Sequence, residues 1–466
     1  MEKSLIIKKN FLQLTLVIVV LSVQLFSCKK EIGEQPNSHE EITASANQDH
    51  GHLQQSKTFS SEVVTKWIEV QSRVFPNAQE QPPGLVFFPP RFYGYCGIAL
   101  YESVVPGMPF YQSLSEQLID MQVMPKTQPG MAYHWSTCAN TALAYMTKHL
   151  LTHISSGKKA SIDSLEAALN SAFQTEVPEA TFNRSIQFGK NIAETIFNWS
   201  ITDGFFDTYP PYIPPTGIGL WVPTPPAFMQ PGPVVNFRDL RLFMPGLLTN
   251  SSLPEPIAYS TDPSSVFFNS MKEVYDISQG ISASLVTQAN YWRGLQNGGP
   301  GAQWYNILRK IIMEQGNGVM LDKATVAYCK AGLAFHDAAI TNFIEAFRYN
   351  TIRPITFIRN VMGYSSWNTI FPTVPYPSYP DFHATIAGAS GEVFSSLFGN
   401  NYHFNTAGTD ALGLPGYTYN SFEEAGTDAA LSRFYAGVNS KPFVYAGSWQ
   451  GKKTAEYMES KIRFLK

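Results

Sequence analysis

The chain has 466 residues, 44% of them hydrophobic and 15% charged, with a formal net charge of −3. That length supports one large or two ordinary domains with a real core, and a near-neutral balance without a basic stripe excludes a nucleic-acid binder. Aromatic residues make up 14% of the chain, which suits a heavily packed interior.

The chain opens with a basic segment carrying Lys3, Lys8 and Lys9, then an apolar run from Phe11 to Leu25. That run is too short and wrongly flanked for an ordinary spanning helix. It ends in Leu25-Phe26-Ser27-Cys28, which resembles a bacterial lipoprotein signal whose mature chain begins at a lipidated Cys28. A simple secretory signal and an uncleaved anchor are the rival readings. All three place the folded part outside the cytoplasm, and the lipoprotein reading places it in the cell envelope, periplasm or outer membrane, held to a membrane by lipid. Residues 29–58 are polar without an apolar period and read as a flexible tether, in which His39, His50 and His52 are solvated. Residues 59–466 form the expected domain. Its three cysteines, Cys96, Cys138 and Cys329, have no metal-ligand spacing and read as small buried residues.

Within the domain the apolar spacing predicts helix after helix. Val63, Val64, Trp67, Ile68 and Val70 mark the first, and Phe92 to Val104 the second. Further helices are expected over 136–153, 161–173 and 185–200. The passage Tyr209 to Pro233 is rich in Pro and Gly and cannot be helix or central strand. It is expected to wrap over the helices, anchored by Tyr212, Trp221 and Phe228. The clearest helix is 302–316, where Trp304, Ile307, Leu308, Ile311 and Ile312 share a face. A long Ala-rich helix follows over 322–348, then helices near 422–438 and 449–464. The predicted fold class is all-α, a multi-helix bundle assembly.

Three stretches carry candidate chemistry. The long helix runs into Arg353-Pro354. Pro380 stops the chain, Asp381 is a good N-cap, and a helix follows with His383 in its first turn. Ser432-Arg433 lies near the end of a later helix. Two guanidiniums and one imidazole from three helical regions suit recognition of a tetrahedral oxyanion with acid–base work beside it. His149 and His153 are four apart on one helix but lack a third ligand, so no metal site is expected there. His336-Asp337 reads as packing, since adjacent helical residues diverge by about 100°. His134 and His403 have no evident partner.

These stretches resemble the vanadium-dependent haloperoxidases, which share an all-α fold with the type 2 phosphatidic acid phosphatases. Ile98-Ala-Leu-Tyr-Glu-Ser-Val-Val104, Trp221-Val-Pro-Thr-Pro-Pro226, Pro300-Gly-Ala-Gln-Trp304 and Asp337-Ala-Ala-Ile340 extend the resemblance over roughly 59–460. It implies vanadate as cofactor, Arg353 and Arg433 as oxyanion ligands and His383 as the acid–base residue. It also marks departures. The family Lys falls on Ala346, and Arg348 points elsewhere on the same helix. The Ser and Gly of the family's Pro-Ser-Gly-His fall on Asp381 and Phe382. The His that binds vanadate, or accepts phosphate in the phosphatases, falls on Asn439, and the Asp that orients it falls on Phe443. The resemblance therefore implies a haloperoxidase-like protein with weakened or altered activity toward an anionic or small-molecule substrate. The alternatives are a non-catalytic envelope binding protein on the same scaffold and an acid phosphatase-like hydrolase.

Overall fold

A computed structural model describes residues 54–76, 80, 86–294, 298–411 and 413–466. The expected signal, the lipidated Cys28 and residues 29–53 of the expected tether lie outside these. Among the described residues there are fourteen α-helices and one antiparallel pair of two-residue strands, so the chain is all-α. In chain order the helices are α1 Glu62–Val74, α2 Pro89–Val104, α3 Trp135–Leu150, α4 Ser156–Phe173, α5 Glu179–Ser200, α6 Leu247–Ser251, α7 Val266–Ser278 and α8 Ala283–Arg293. There follow α9 Pro300–Gln315, α10 Leu321–Tyr349, α11 Pro354–Asn360 and α12 Phe382–Phe398. Strands β1 Phe404–Asn405 and β2 Thr418–Tyr419 precede α13 Phe422–Tyr435 and α14 Lys441–Lys461.

The long helix α10 is the axis of the core. Its Ala-rich sequence lets other helices approach closely, and most of its side chains are buried. It packs on α2, α12 and α14. Asn342 donates from Nδ2 to Pro380 O (3.2 Å) and Thr385 Oγ1 (2.9 Å), which ties α10 to the start of α12. The helix ends at Asn350, which adopts the left-handed conformation (φ 47°) that Asn tolerates better than most residues. Asn350 then receives the Pro-rich passage: Tyr212 Oη donates to its Oδ1 (2.6 Å) and Trp221 N to its carbonyl (2.7 Å). That passage is irregular as expected, with Trp221 buried. Phe228 is no anchor, being 59% exposed at a positive φ of 50°.

Several boundaries differ from expectation for physical reasons. The last helix begins at Lys441, because Pro442 in its first turn is a start signal that the interrupting Gly447 and Gly451 obscured as an apolar period. The helix over 422–438 stops at Tyr435, since Gly437 takes φ +76°. Helices α6, α7, α8 and α11 were not expected. The end of the tether, Gln54–Thr58, is folded onto the domain: Trp135 Nε1 donates to Gln54 O (2.7 Å) and Ser56 Oγ to Gly107 O (3.2 Å). Cys96, Cys138 and Cys329 are all buried and free.

Candidate functional site

The site is built on the turn before α12. Ser378 N donates to Thr351 O (3.1 Å) and Tyr379 N to Thr351 Oγ1 (2.8 Å), so the turn is pinned to the residues after α10. The Tyr379–Pro380 peptide is cis. Asp381 caps α12, its Oδ1 accepting from Ala384 N at 2.8 Å. Helix α14 presses against this start at backbone distance. A Cβ at Gly447 would lie 2.3 Å from Asp381 O, and one at Gly451 1.8 Å from Thr385 O, so only glycine fits at either position.

Around the turn the structure gathers Arg353, Asp381, His383, Arg433 and Asn439. Arg353 is buried, and each guanidinium nitrogen is used on backbone. Nε donates to Tyr376 O (2.9 Å), Nη1 to Val438 O (3.2 Å) and Nη2 to Pro377 O (3.1 Å). It thereby staples three segments together. Asn439 is likewise committed at both ends. Its Nδ2 donates to Ser378 O (2.7 Å) and Asp381 Oδ2 (2.9 Å), while its Oδ1 accepts from Ser378 Oγ (2.5 Å) and Ser440 N (3.1 Å). Arg433 is different. Its side chain is 5% exposed, and its Nε reaches Asp381 Oδ2 only at 3.9 Å. Its Nε and Nη1 are buried without a hydrogen-bond partner, as is His383 Nδ1.

Charge shapes the cluster. Burial pushes the His383 imidazole well below its ordinary value; Arg433, Arg293 and Arg353 act in the same direction, and the Trp292 carbonyl opposes. Burial also lowers Arg353 to about 10, with Tyr376 and Asp381 opposing. Arg433 is lowered by burial, against Asp381. Arg293, at the C-terminal end of α8, is lowered by burial and then by Arg433. The Cζ atoms of Arg293 and Arg433 lie 4.6 and 5.1 Å from the centroid of the same Phe371 ring. Neither Arg293 nor Phe371 was singled out from sequence. The available signal was helix punctuation, Ser282 as N-cap and Gly294 as left-handed C-cap, which places Arg293 in the last turn.

The remaining candidates sort plainly. Ala346 is buried in α10. Arg348 is 62% exposed and faces Glu345 at 3.6 Å, away from the cluster. Phe382 packs on Phe343 (5.2 Å) and Tyr376 (6.4 Å). Phe443 is wholly buried in a second apolar cluster with Phe267, Phe357 and Tyr379, so the position four residues beyond Asn439 faces hydrocarbon. His149 stacks on Tyr145, and His134 caps α3 while facing Glu176 at 3.2 Å. His336 and Asp337 form an oriented buried pair (2.8 Å) that sequence spacing alone did not favour. The carboxylate also accepts from Phe243 N (2.8 Å) and Met244 N (2.9 Å). No group of His, Cys, Asp or Glu with metal-binding geometry occurs among the described residues.

The fold is similar to that of helical-bundle haloperoxidases. Crystal structures of a bacterial vanadium-dependent chloroperoxidase match in holo form (TM-score 0.61, 14% identity, 83% of this chain and 96% of that one) and in apo form (TM-score 0.62, 14%, 84% and 99%). At that identity they speak for the fold alone. The crystal structure of the first bacterial vanadium-dependent iodoperoxidase matches with TM-score 0.76 at 27% identity, over 87% of this chain and 97% of that one. A family model described as the VCPO second helical-bundle domain matches residues 327–465. No curated protein sequence matches. The fold is that of the vanadium haloperoxidase superfamily, and residues 327–465 match its second helical-bundle domain. The matched region holds Arg353, His383, Arg433 and Asn439 and leaves out Arg293.

Proposed function

We propose that this protein has kept the haloperoxidase scaffold and relinquished covalently held vanadate, and that it works as a binding protein for a small anion in the old cleft. One observation carries the reading: both ends of the Asn439 amide are spent on Ser378, Asp381 and Ser440. An amide nitrogen has its lone pair delocalised into the carbonyl, so even a freed Asn439 offers no imidazole-like donor. Its surroundings agree. Ala346 supplies no cation, and Phe443 supplies no carboxylate to orient a ligand. The residues present therefore do not fit vanadate held by a protein–vanadium bond. Phosphate-ester hydrolysis through a phosphorylated residue lacks its nucleophile at the same position.

A second reading, a retained but altered haloperoxidase, rests on the 27% identity to the iodoperoxidase and on the unspent Arg433 and His383. Peroxide-dependent oxidation of iodide and bromide by the pure domain, preloaded with vanadate, separates the two. The binding-protein reading expects no rate above the protein-free control. Sustained turnover would establish the second reading. We also infer that the domain is held in the cell envelope through a lipid on Cys28, which intact-mass analysis of the membrane-extracted protein would reveal as a diacylglyceryl addition.

A further inference from the structure

Residues 54–59 lie at the start of α10. Leu321 N, in the first turn of that helix, donates to Phe59 O (3.0 Å), and Ser56 Oγ donates to Gly107 O (3.2 Å). Residues 29–53, which join Cys28 to Gln54, therefore reach the domain beside segment 107–112. A polar coil of that length spans on the order of 30 Å. Segment 109–112 is laced to segment 463–466. Gln112 N donates to Phe464 O (2.9 Å), Lys466 N to Phe110 O (3.0 Å) and Lys466 Nζ to Pro109 O (2.8 Å). Tyr111 pairs with Leu465 in an antiparallel bridge. This ribbon presents Phe110 at 73% exposure and Leu465 at 58%. Val123, also 73% exposed, is drawn toward it by the bond from Ser115 Oγ to Gln122 O (3.2 Å). Lys57, Arg463 and Lys466 are exposed around the ribbon, and Glu116 and Asp120 are exposed farther along the first segment. Large apolar side chains held out into water mark a contact surface. Here they stand where the expected anchored chain meets the domain.

We propose that this ribbon is a membrane-facing surface: Phe110 and Leu465 enter the headgroup region of a phospholipid bilayer, with Lys466, Arg463 and Lys57 level with its phosphates. The proposal rests on the reading that Cys28 carries a lipid. The lipid holds the domain near the bilayer, and the ribbon decides which end faces it. Lys466 is placed for such a contact, its ammonium seated on the carbonyl that precedes Phe110. The other end of α10 supplies the contrast. Its 29 residues set Tyr349 about 43 Å from Leu321. Ile218 is 86% exposed there, close to the Leu220–Thr351 bridge and to the bond from Trp221 N to Asn350 O (2.7 Å). That end also carries the candidate site, which on this account stands away from the bilayer and open to solutes.

The test uses the full chain in vesicles of phosphatidylethanolamine and phosphatidylglycerol. Phe110→Cys, Leu465→Cys and Ile218→Cys are each labelled with bimane, the three cysteines of the domain being buried. Lipids carrying a nitroxide near the headgroup are expected to quench the label at 110 and 465 at least about twofold more than at 218, because a docked face lies about 5–10 Å into the headgroup boundary. Equal quenching at the three positions, or stronger quenching at 218, would overturn the surface. Sedimentation of the detergent-solubilised protein as a dimer that Phe110→Ser with Leu465→Ser separates would make a second copy the occupant, and would overturn it too. Intact mass of the same samples judges the anchor separately. An unmodified Cys28 with 110 and 465 still quenched removes the lipid reading and sustains the surface; a lipidated Cys28 without excess quenching at 110 does the reverse.

Discussion

Replacing Asn439 by Asp tests the amide's structural role with almost no change in shape. In the native protein Nδ2 donates to Ser378 O and Asp381 Oδ2 at 2.7 and 2.9 Å. The substitution puts an acceptor oxygen there, facing a carbonyl and a carboxylate. Two charges at that separation would repel by about 6 kcal/mol at an effective dielectric near 20. The pair avoids this by taking up one proton, shared between the carboxyls. The cost at pH 7 is then that of holding a carboxylic acid protonated some three units above its ordinary range, about 4 kcal/mol at 1.4 kcal/mol per unit. The folded variant thus binds a proton that the unfolded chain does not, so its stability relative to the native protein falls as pH rises. Urea denaturation of both proteins between pH 5 and pH 7 should show a gap widening by roughly 1.4 kcal/mol per unit. Parallel curves would mean that position 439 is not in contact with Asp381, and the account of the site would fail with them.

The remaining predictions concern the frame around the site. Arg353→Met removes three charge-assisted hydrogen bonds to carbonyls and should lower stability on the order of 3 kcal/mol after the relief of a buried charge; thermal unfolding measures it. Glu102 is buried between Leu114 N (2.7 Å) and Ser113 Oγ (2.9 Å), and burial raises it from 4.5 to about 7. Because the folded carboxyl keeps its proton longer than the unfolded one, native stability falls as pH rises from 4.5 through 7. Glu102→Gln should abolish that fall, so its deficit relative to the native protein narrows over the same window by up to about 3 kcal/mol. Burial also raises the thiols of Cys96, Cys138 and Cys329, which should resist iodoacetamide in the native state and react in urea, read by mass spectrometry.

Much of the scaffold was legible because long helices write their period into sequence. The stripe from Trp304 to Ile312 and the Ala-rich run of α10 could be nothing else. Asp381 announced itself as a cap by residue type and by the proline before it. What escaped was short or held by tertiary contact. Helix α8 has a weak apolar period, and its Arg293 joins the cluster only through tertiary contact, over the Phe371 ring that Arg433 also meets. Phe228 has the composition of an anchor but sits at a turn that turns it outward. Arg353 illustrates the deeper limit. Sequence marks it as a guanidinium in the right place, yet whether its nitrogens face a ligand or backbone carbonyls depends on the paths of 376–377 and 438. The His336–Asp337 pair shows the same limit from the other side, since its orientation comes from the Phe243 and Met244 amides, far away in sequence.

The most direct test of the central claim is a crystal of this domain grown with vanadate. The account predicts that any bound vanadate is tetrahedral, held by hydrogen bonds beside Arg433 and His383, with no protein atom at bonding distance from vanadium and the Asn439 amide still joined to Ser378 and Asp381. A vanadium centre bonded to a side chain, with Asn439 swung away from those partners, would contradict it.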